Sequence, residues 1–81
     1  MIGKLVEYSN EFGERKTGIV RSVESEDLDE VKMSGERFLY WSKKTKSWRE
    51  VRENKMDSLF FEIEQRVCSD FVLVKDVSVV F

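Results

Sequence analysis

The chain has 81 residues, with 41% hydrophobic and 37% charged side chains and a formal net charge of −2. That length holds one hydrophobic core and not two, and a core of this size withdraws only about 60–65% of the unfolded surface from water. A single cysteine, Cys68, excludes an intramolecular disulfide framework, and the absence of histidine removes the commonest general base and metal ligand.

Reading from the N-terminus, MIGKLVEYS lacks the long apolar region and cleavage site of a signal peptide. No apolar run approaches the roughly 18 residues of a membrane span. With the lone cysteine, these features predict a cytoplasmic protein without a membrane partner. Gly3 to Ser9 reads as a first strand, Asn10 to Glu14 as a glycine-containing turn, and Lys16 to Val23 as a second strand. Gly18 inside that strand marks a bulge or a close backbone approach. Strict alternation would place Ile19, Arg21 and Val23 on one face and Val20 and Ser22 on the other.

An acidic loop, or the twisted end of the second strand, follows from Glu24 to Glu30, then a short strand at Val31-Lys32-Met33. The chain next reaches its most distinctive stretch, Arg37 to Arg52, RFLYWSKKTKSWREVR. Aromatic residues that suit a pleated surface flank a lysine-rich connection. No Asn-Gly or Asp-Gly dipeptide offers a two-residue turn. A four-residue connection at Lys43 to Lys46 places Trp41 opposite Trp48, Leu39 opposite Glu50 and Arg37 opposite Arg52. Phe38, Tyr40 and Val51 then point to the other face, toward a core. The tryptophan pair has two readings. It fastens the hairpin or fills the core, or it forms an exposed aromatic platform beside positive charge.

Asn54 to Asp57 breaks the pattern. From Ser58 to Val67, Leu59, Ile63 and Val67 recur at helical spacing, yet Phe61-Glu62-Ile63-Glu64 alternates as a strand does, and the strand is preferred. Phe71 to Val74 suits a buried strand, and Val77 to Phe81 a last one after a turn at Lys75-Asp76. The expected fold is therefore all-β, a single small domain over residues 1–81. It is drawn as a small barrel or strongly curved antiparallel sheet of five to six strands. The alternative is α+β with a helix near 57–67. The expected core is Leu5, Val6, Ile19, Val20, Phe38, Tyr40, Val51, Phe61, Ile63, Val72, Val74 and Val79.

The segment IGKLVEYSNEFGERKTGIVRSVE, through Gly3, Val6, Gly13, Lys16, Gly18 and Val20, resembles the opening hairpin of small SH3-like barrels of the KOW and Tudor kind. The tail VLVKDVSVVF is similar to the closing strands of such a barrel. The resemblance covers about a quarter of the chain well. It implies a fold more than a function, since such barrels take nucleic-acid, peptide and protein ligands alike. A Tudor-type methyl-ligand cage would need aromatics to converge, with Tyr8, Tyr40, Trp41 and Trp48 as its candidates.

Charge is unevenly distributed. Residues 24–36 hold six acids against one base, and residues 37–55 hold seven bases against two acids. The blocks either pair with each other, lie solvated, or steer a partner. Catalytic constellations are missing: Cys68 has no histidine partner, one sulfur cannot complete a zinc site, and no phosphate-binding glycine motif occurs. The acidic cluster Glu26 to Glu30 lacks the spacing and turn glycine of a calcium loop. No enzyme activity, cofactor or metal site is expected, and Cys68 is read as structural or incidental.

Two functions remain. One is a protein-interaction domain, an adaptor or an inhibitor docking on a larger protein, as small acidic chains from phages and mobile elements often are. The hairpin supplies Trp and Arg, the residue types of binding hot spots. The other is binding of single-stranded RNA or DNA, with lysines on phosphates and a tryptophan stacked on a base. The negative net charge disfavours it. Either would use Arg37, Trp41, Lys43, Lys44, Lys46, Trp48, Arg49 and Arg52.

Overall fold

A computed structural model describes residues 1–80. Within them the all-β expectation holds. Eight strands form where five or six were expected, and they lie in two antiparallel sheets that do not close into a barrel. The strands are β1 (Leu5–Ser9), β2 (Arg15–Ser25), β3 (Val31–Ser34), β4 (Arg37–Ser42), β5 (Ser47–Glu50), β6 (Leu59–Glu64), β7 (Asp70–Leu73) and β8 (Ser78–Val79). The larger sheet has the order β7-β6-β2-β1-β8, and the smaller runs β3-β4-β5. The ambiguous segment is strand β6, preceded by a 3-10 turn at Glu53–Ser58, so no α-helix forms over 57–67. The last strand is shorter than expected, and Phe81 lies outside the described residues.

Local chemistry explains the first hairpin. The Asn10 side-chain oxygen accepts the backbone N–H groups of Phe12 and Glu14, both at 2.9 Å, and Gly13 adopts φ +79°. An asparagine that bonds its own downstream backbone, followed by a residue free to take positive φ, is a self-contained turn. It sets the register Leu5 opposite Ile19 and Val6 opposite Gly18.

The pairing of β2 with β6 slips by one residue between Val20 and Ser22. This bulge at Arg21 overturns the strict alternation expected there. Val20 and Val23 both face inward, the latter only 8% exposed. Gly18 is the close approach foreseen for it. A Cβ added there would stand 2.5 Å from Ile63 Cγ2 and 2.9 Å from the Glu64 carbonyl oxygen.

Among the described residues, the buried core is Val6, Tyr8, Val20, Val23, Val51, Leu59, Phe61 and Ile63. Fully burying a Leu, Ile, Val or Phe side chain contributes about 1.5–3 kcal/mol. The inner face of the small sheet packs on this cluster through half-buried Val31, Met33, Phe38 and Tyr40, as do Val72 and Val74. Phe38 meets Phe61 with ring centroids 6.0 Å apart. Three expected core members lie elsewhere. Leu5 and Ile19 oppose each other on the outer face of the large sheet at 40% and 39% exposure, because Val6 and Val20 take the inward positions beside them. Val79 sits on a two-residue edge strand and is 37% exposed.

Tyr8 carries the one polar device of this core. Its hydroxyl donates to Asp70 Oδ2 at 2.6 Å and accepts from Gln65 Nε2 at 2.6 Å. Gln65 also donates to the Thr17 carbonyl at 3.1 Å, and Lys16 Nζ stands 4.0 Å from Asp70. Burial, reinforced by the hydrogen bond to Asp70 and its negative charge, pushes the Tyr8 hydroxyl up to about 12.

Candidate binding surface

The hairpin folds in the expected register, with Trp41 opposite Trp48, Leu39 opposite Glu50 and a four-residue connection from Lys43 to Lys46. Two local features make that connection. The Thr45 N–H donates to Ser42 Oγ at 3.3 Å, and Lys46 takes the left-handed conformation at φ 52°. The preceding hairpin, β3–β4, turns on Gly35–Glu36 between the paired Ser34 and Arg37. Positive φ at its first residue, +63° at Gly35, is what a two-residue turn of this kind demands.

Trp41 and Trp48 lie on the outer face of the small sheet, away from the core, in an edge-to-face contact with centroids 5.5 Å apart at 71°. Trp41 is half-buried and Trp48 is 37% exposed. Such a contact contributes about 0.5–1.5 kcal/mol beyond burial. The pair therefore fastens the hairpin and still presents indole to solvent; it does not fill the core. Lys32 was absent from the candidate residues, yet its Nζ sits 4.1 Å from the centre of a Trp48 ring. It arrives there because Lys32 pairs with Leu39, two residues from Trp41 on the same face. Recognising the Gly35–Glu36 turn in the sequence would have revealed it.

The expected cations are distributed around this face, not gathered on it. Arg37 shares the face and holds Glu50 Oε2 at 3.2 Å. Its expected partner Arg52 lies past the end of β5, beginning the 3-10 turn, so the Arg37–Arg52 pair does not form. Arg52 instead borders a cleft of about 240 Å³ with Tyr40 and Val51. Arg49 pairs with Tyr40 and therefore belongs to the opposite face. Lys43 is tied to Asp29 Oδ2 at 2.9 Å, and that hydrogen bond and charge hold its amine above the ordinary lysine value. Lys44, Lys46, Arg49 and Arg52 make no ion pair among the described residues.

The acidic and basic blocks do pair in part, through Lys43–Asp29 and through Lys55–Asp27 at 3.6 Å. The acidic loop is anchored for this purpose. Ser25 Oγ accepts the Asp27 and Leu28 N–H groups at 3.2 and 3.1 Å and meets Ser58 Oγ at 3.1 Å. An open cleft of about 470 Å³ runs between this loop and the hairpin, lined by Glu24, Asp29, Glu30 and Trp48 among others. The four aromatics of the cage expectation do not converge. Tyr8 is fully buried in the other sheet, and Tyr40 faces the core, on the opposite side from both tryptophans.

Among the described residues no three Cys, Asp or Glu side chains gather as a metal would require, and Cys68 is exposed and free. No helix there is long and apolar enough to cross a membrane. Comparison with protein-family models, with curated proteins and with solved structures returns no match.

Proposed function

We propose that the chain is a small non-catalytic protein-interaction domain, an adaptor or inhibitor that docks on a larger protein through the outer face and tip of the β4–β5 hairpin. One observation carries this reading. A tryptophan pair stands outside the core of a small domain, partly exposed, with Arg37 on its face and, at the hairpin tip, Lys44 and Lys46 without ion-pair partners among the described residues. Large aromatics kept at the surface beside arginine are the side chains that anchor protein interfaces. The neighbouring acidic loop, held open across a cleft, adds the opposite sign and so favours a partner with both charges.

The geometry weighs against single-stranded RNA or DNA as the ligand. A base needs a free aromatic face to stack on. Here Lys32 already covers a Trp48 ring. Lys43, one of the three lysines suited to phosphate, is already neutralised by Asp29. The test is capture of partners with and without nuclease, beside titration with mixed single-stranded RNA and DNA across a salt series. A nuclease-resistant partner weakened by about 2 kcal/mol in Trp41→Ala or Trp48→Ala is the expected result. Tight nucleic-acid binding that falls steeply with salt would replace this reading.

A further inference from the structure

We propose that the open edge of β5 accepts an extended acidic segment of the partner protein as a fourth strand of the small sheet. This deepens the reading of the hairpin as a docking surface and rests on it.

The hydrogen-bond parity of the sheet identifies the groups available. Trp41 donates its N–H to the Glu30 carbonyl at 3.0 Å, so the backbone of Trp41 faces β3. Val51 donates to the Phe38 carbonyl at 2.9 Å, so Phe38 and, two residues on, Tyr40 face β5. By the same alternation Ser47 and Arg49 turn their backbone groups toward β4, while Trp48 and Glu50 turn theirs outward. β5 is the last strand of its sheet, and nothing pairs with it on that side among the described residues. Two N–H groups and two carbonyls therefore stand in register along the edge, the template that strand addition uses. All four residues of β5 are exposed.

Charge selects the occupant. Edge lysines normally discourage pairing between copies of one chain, and here Lys44, Lys46, Arg49 and Arg52 flank the strand without ion pairs among the described residues. Glu50, the acid on the strand itself, is held by Arg37. A second basic β5 would be repelled, whereas an acidic strand would bring carboxylates to exposed cations that hold no ion-pair partner among the described residues. The opposite edge of the molecule lacks this bias. β7 is also an end strand, but Lys16 beside it already faces Asp70, and Glu11 and Asp76 border the same cleft.

The test uses a capped synthetic peptide of about eight alternating valines and glutamates, somewhat longer than the strand it would join. Isotope-labelled protein reports amide exchange residue by residue. The Trp48 and Glu50 amides are expected to slow by about tenfold or more at saturating peptide, while Ser47 and Arg49, already bonded within the sheet, change little. The matching valine–lysine peptide should not bind. Glu50→Pro removes an outward N–H that the fold does not use, a place where edge strands accept proline, and should abolish binding with the folded spectrum retained. Should that variant unfold, a peptide N-methylated at alternate residues takes its place and should fail to bind. Unchanged exchange at Trp48 and Glu50, protection on Asp70–Leu73 instead, or full binding by the N-methylated peptide would overturn the proposal. A captured protein partner that needs Trp48 but tolerates Glu50→Pro would overturn strand addition and leave the docking surface standing. A partner indifferent to Trp48→Ala would remove the docking surface itself.

Discussion

The large sheet and the small sheet are built from the same kinds of residue and put to opposite uses. Among the described residues, β1, β2 and β6 supply seven of the eight buried side chains, while β5 has all four of its residues exposed. The large sheet buries a tyrosine and satisfies its hydroxyl twice; the small sheet leaves a tryptophan pair partly exposed and, among the described residues, several cations without ion pairs. What decides the difference is position relative to the one core this chain can afford. Strands in the middle of the β7-β6-β2-β1-β8 order are covered on the inner face by the other sheet, whereas among the described residues no strand packs over the outer face of β3-β4-β5. A residue type alone thus says little about use; the strands of each sheet carry four aromatic residues.

Four substitutions or titrations would break or sharpen that contrast. The largest effect is expected for Phe61→Ala, which empties a fully buried site that also contacts Phe38 across the sheets. A loss of about 3–5 kcal/mol in urea unfolding would consume much of the stability such a domain possesses.

Next comes alkaline titration. With Tyr8 at about 12 in the fold against an ordinary 10, its contribution is complete below pH 10 and declines as pH rises toward 12, because the unfolded chain loses that proton first. The decline amounts to about 2–3 kcal/mol. Tyr8→Phe should flatten that part of the stability–pH curve, and an unchanged curve would remove Tyr8 as its source.

Gly18→Ala is expected to cost about 1–3 kcal/mol, since the added methyl meets Ile63 and the Glu64 carbonyl, which is backbone and cannot swing aside. Smallest of all, Trp48→Ala should cost about 0.5–1.5 kcal/mol, the scale of its edge-to-face contact with Trp41. An unfolded Trp48→Ala protein would erase the distinction between the sheets.

Much of the architecture was legible from residue order. The hairpin register followed from counting residues between Trp41 and Trp48, and β6 from the alternation of Phe61 to Glu64. The inward and outward assignment of β2 was not legible, because Arg21 is an ordinary strand residue and nothing in its identity announces a bulge. Tyr8 reads only as a cage candidate and falls outside the expected core. Its burial depends on Gln65 and Asp70, which meet it from more than fifty positions away. At the candidate surface, the tryptophan pair was visible in the sequence, but the Lys32 contact and the Lys43–Asp29 pair required knowing how two hairpins share one sheet.

The pairing of β1 with β8 has a consequence for how the chain reaches this structure. Val6 lies beside Val79, and Val20 beside Ile63, so the large sheet is held by contacts between segments far apart in sequence. Such nonlocal topologies fold slowly for their size, on the order of milliseconds to seconds, because long loops must close before the contacts that reward closure exist. The β3-β4-β5 meander needs only neighbouring residues and is free to form early. During synthesis, the β4–β5 hairpin would emerge and pair while the edge of β1 still waited for residues 78 and 79, leaving that edge as the segment most in need of protection from premature pairing.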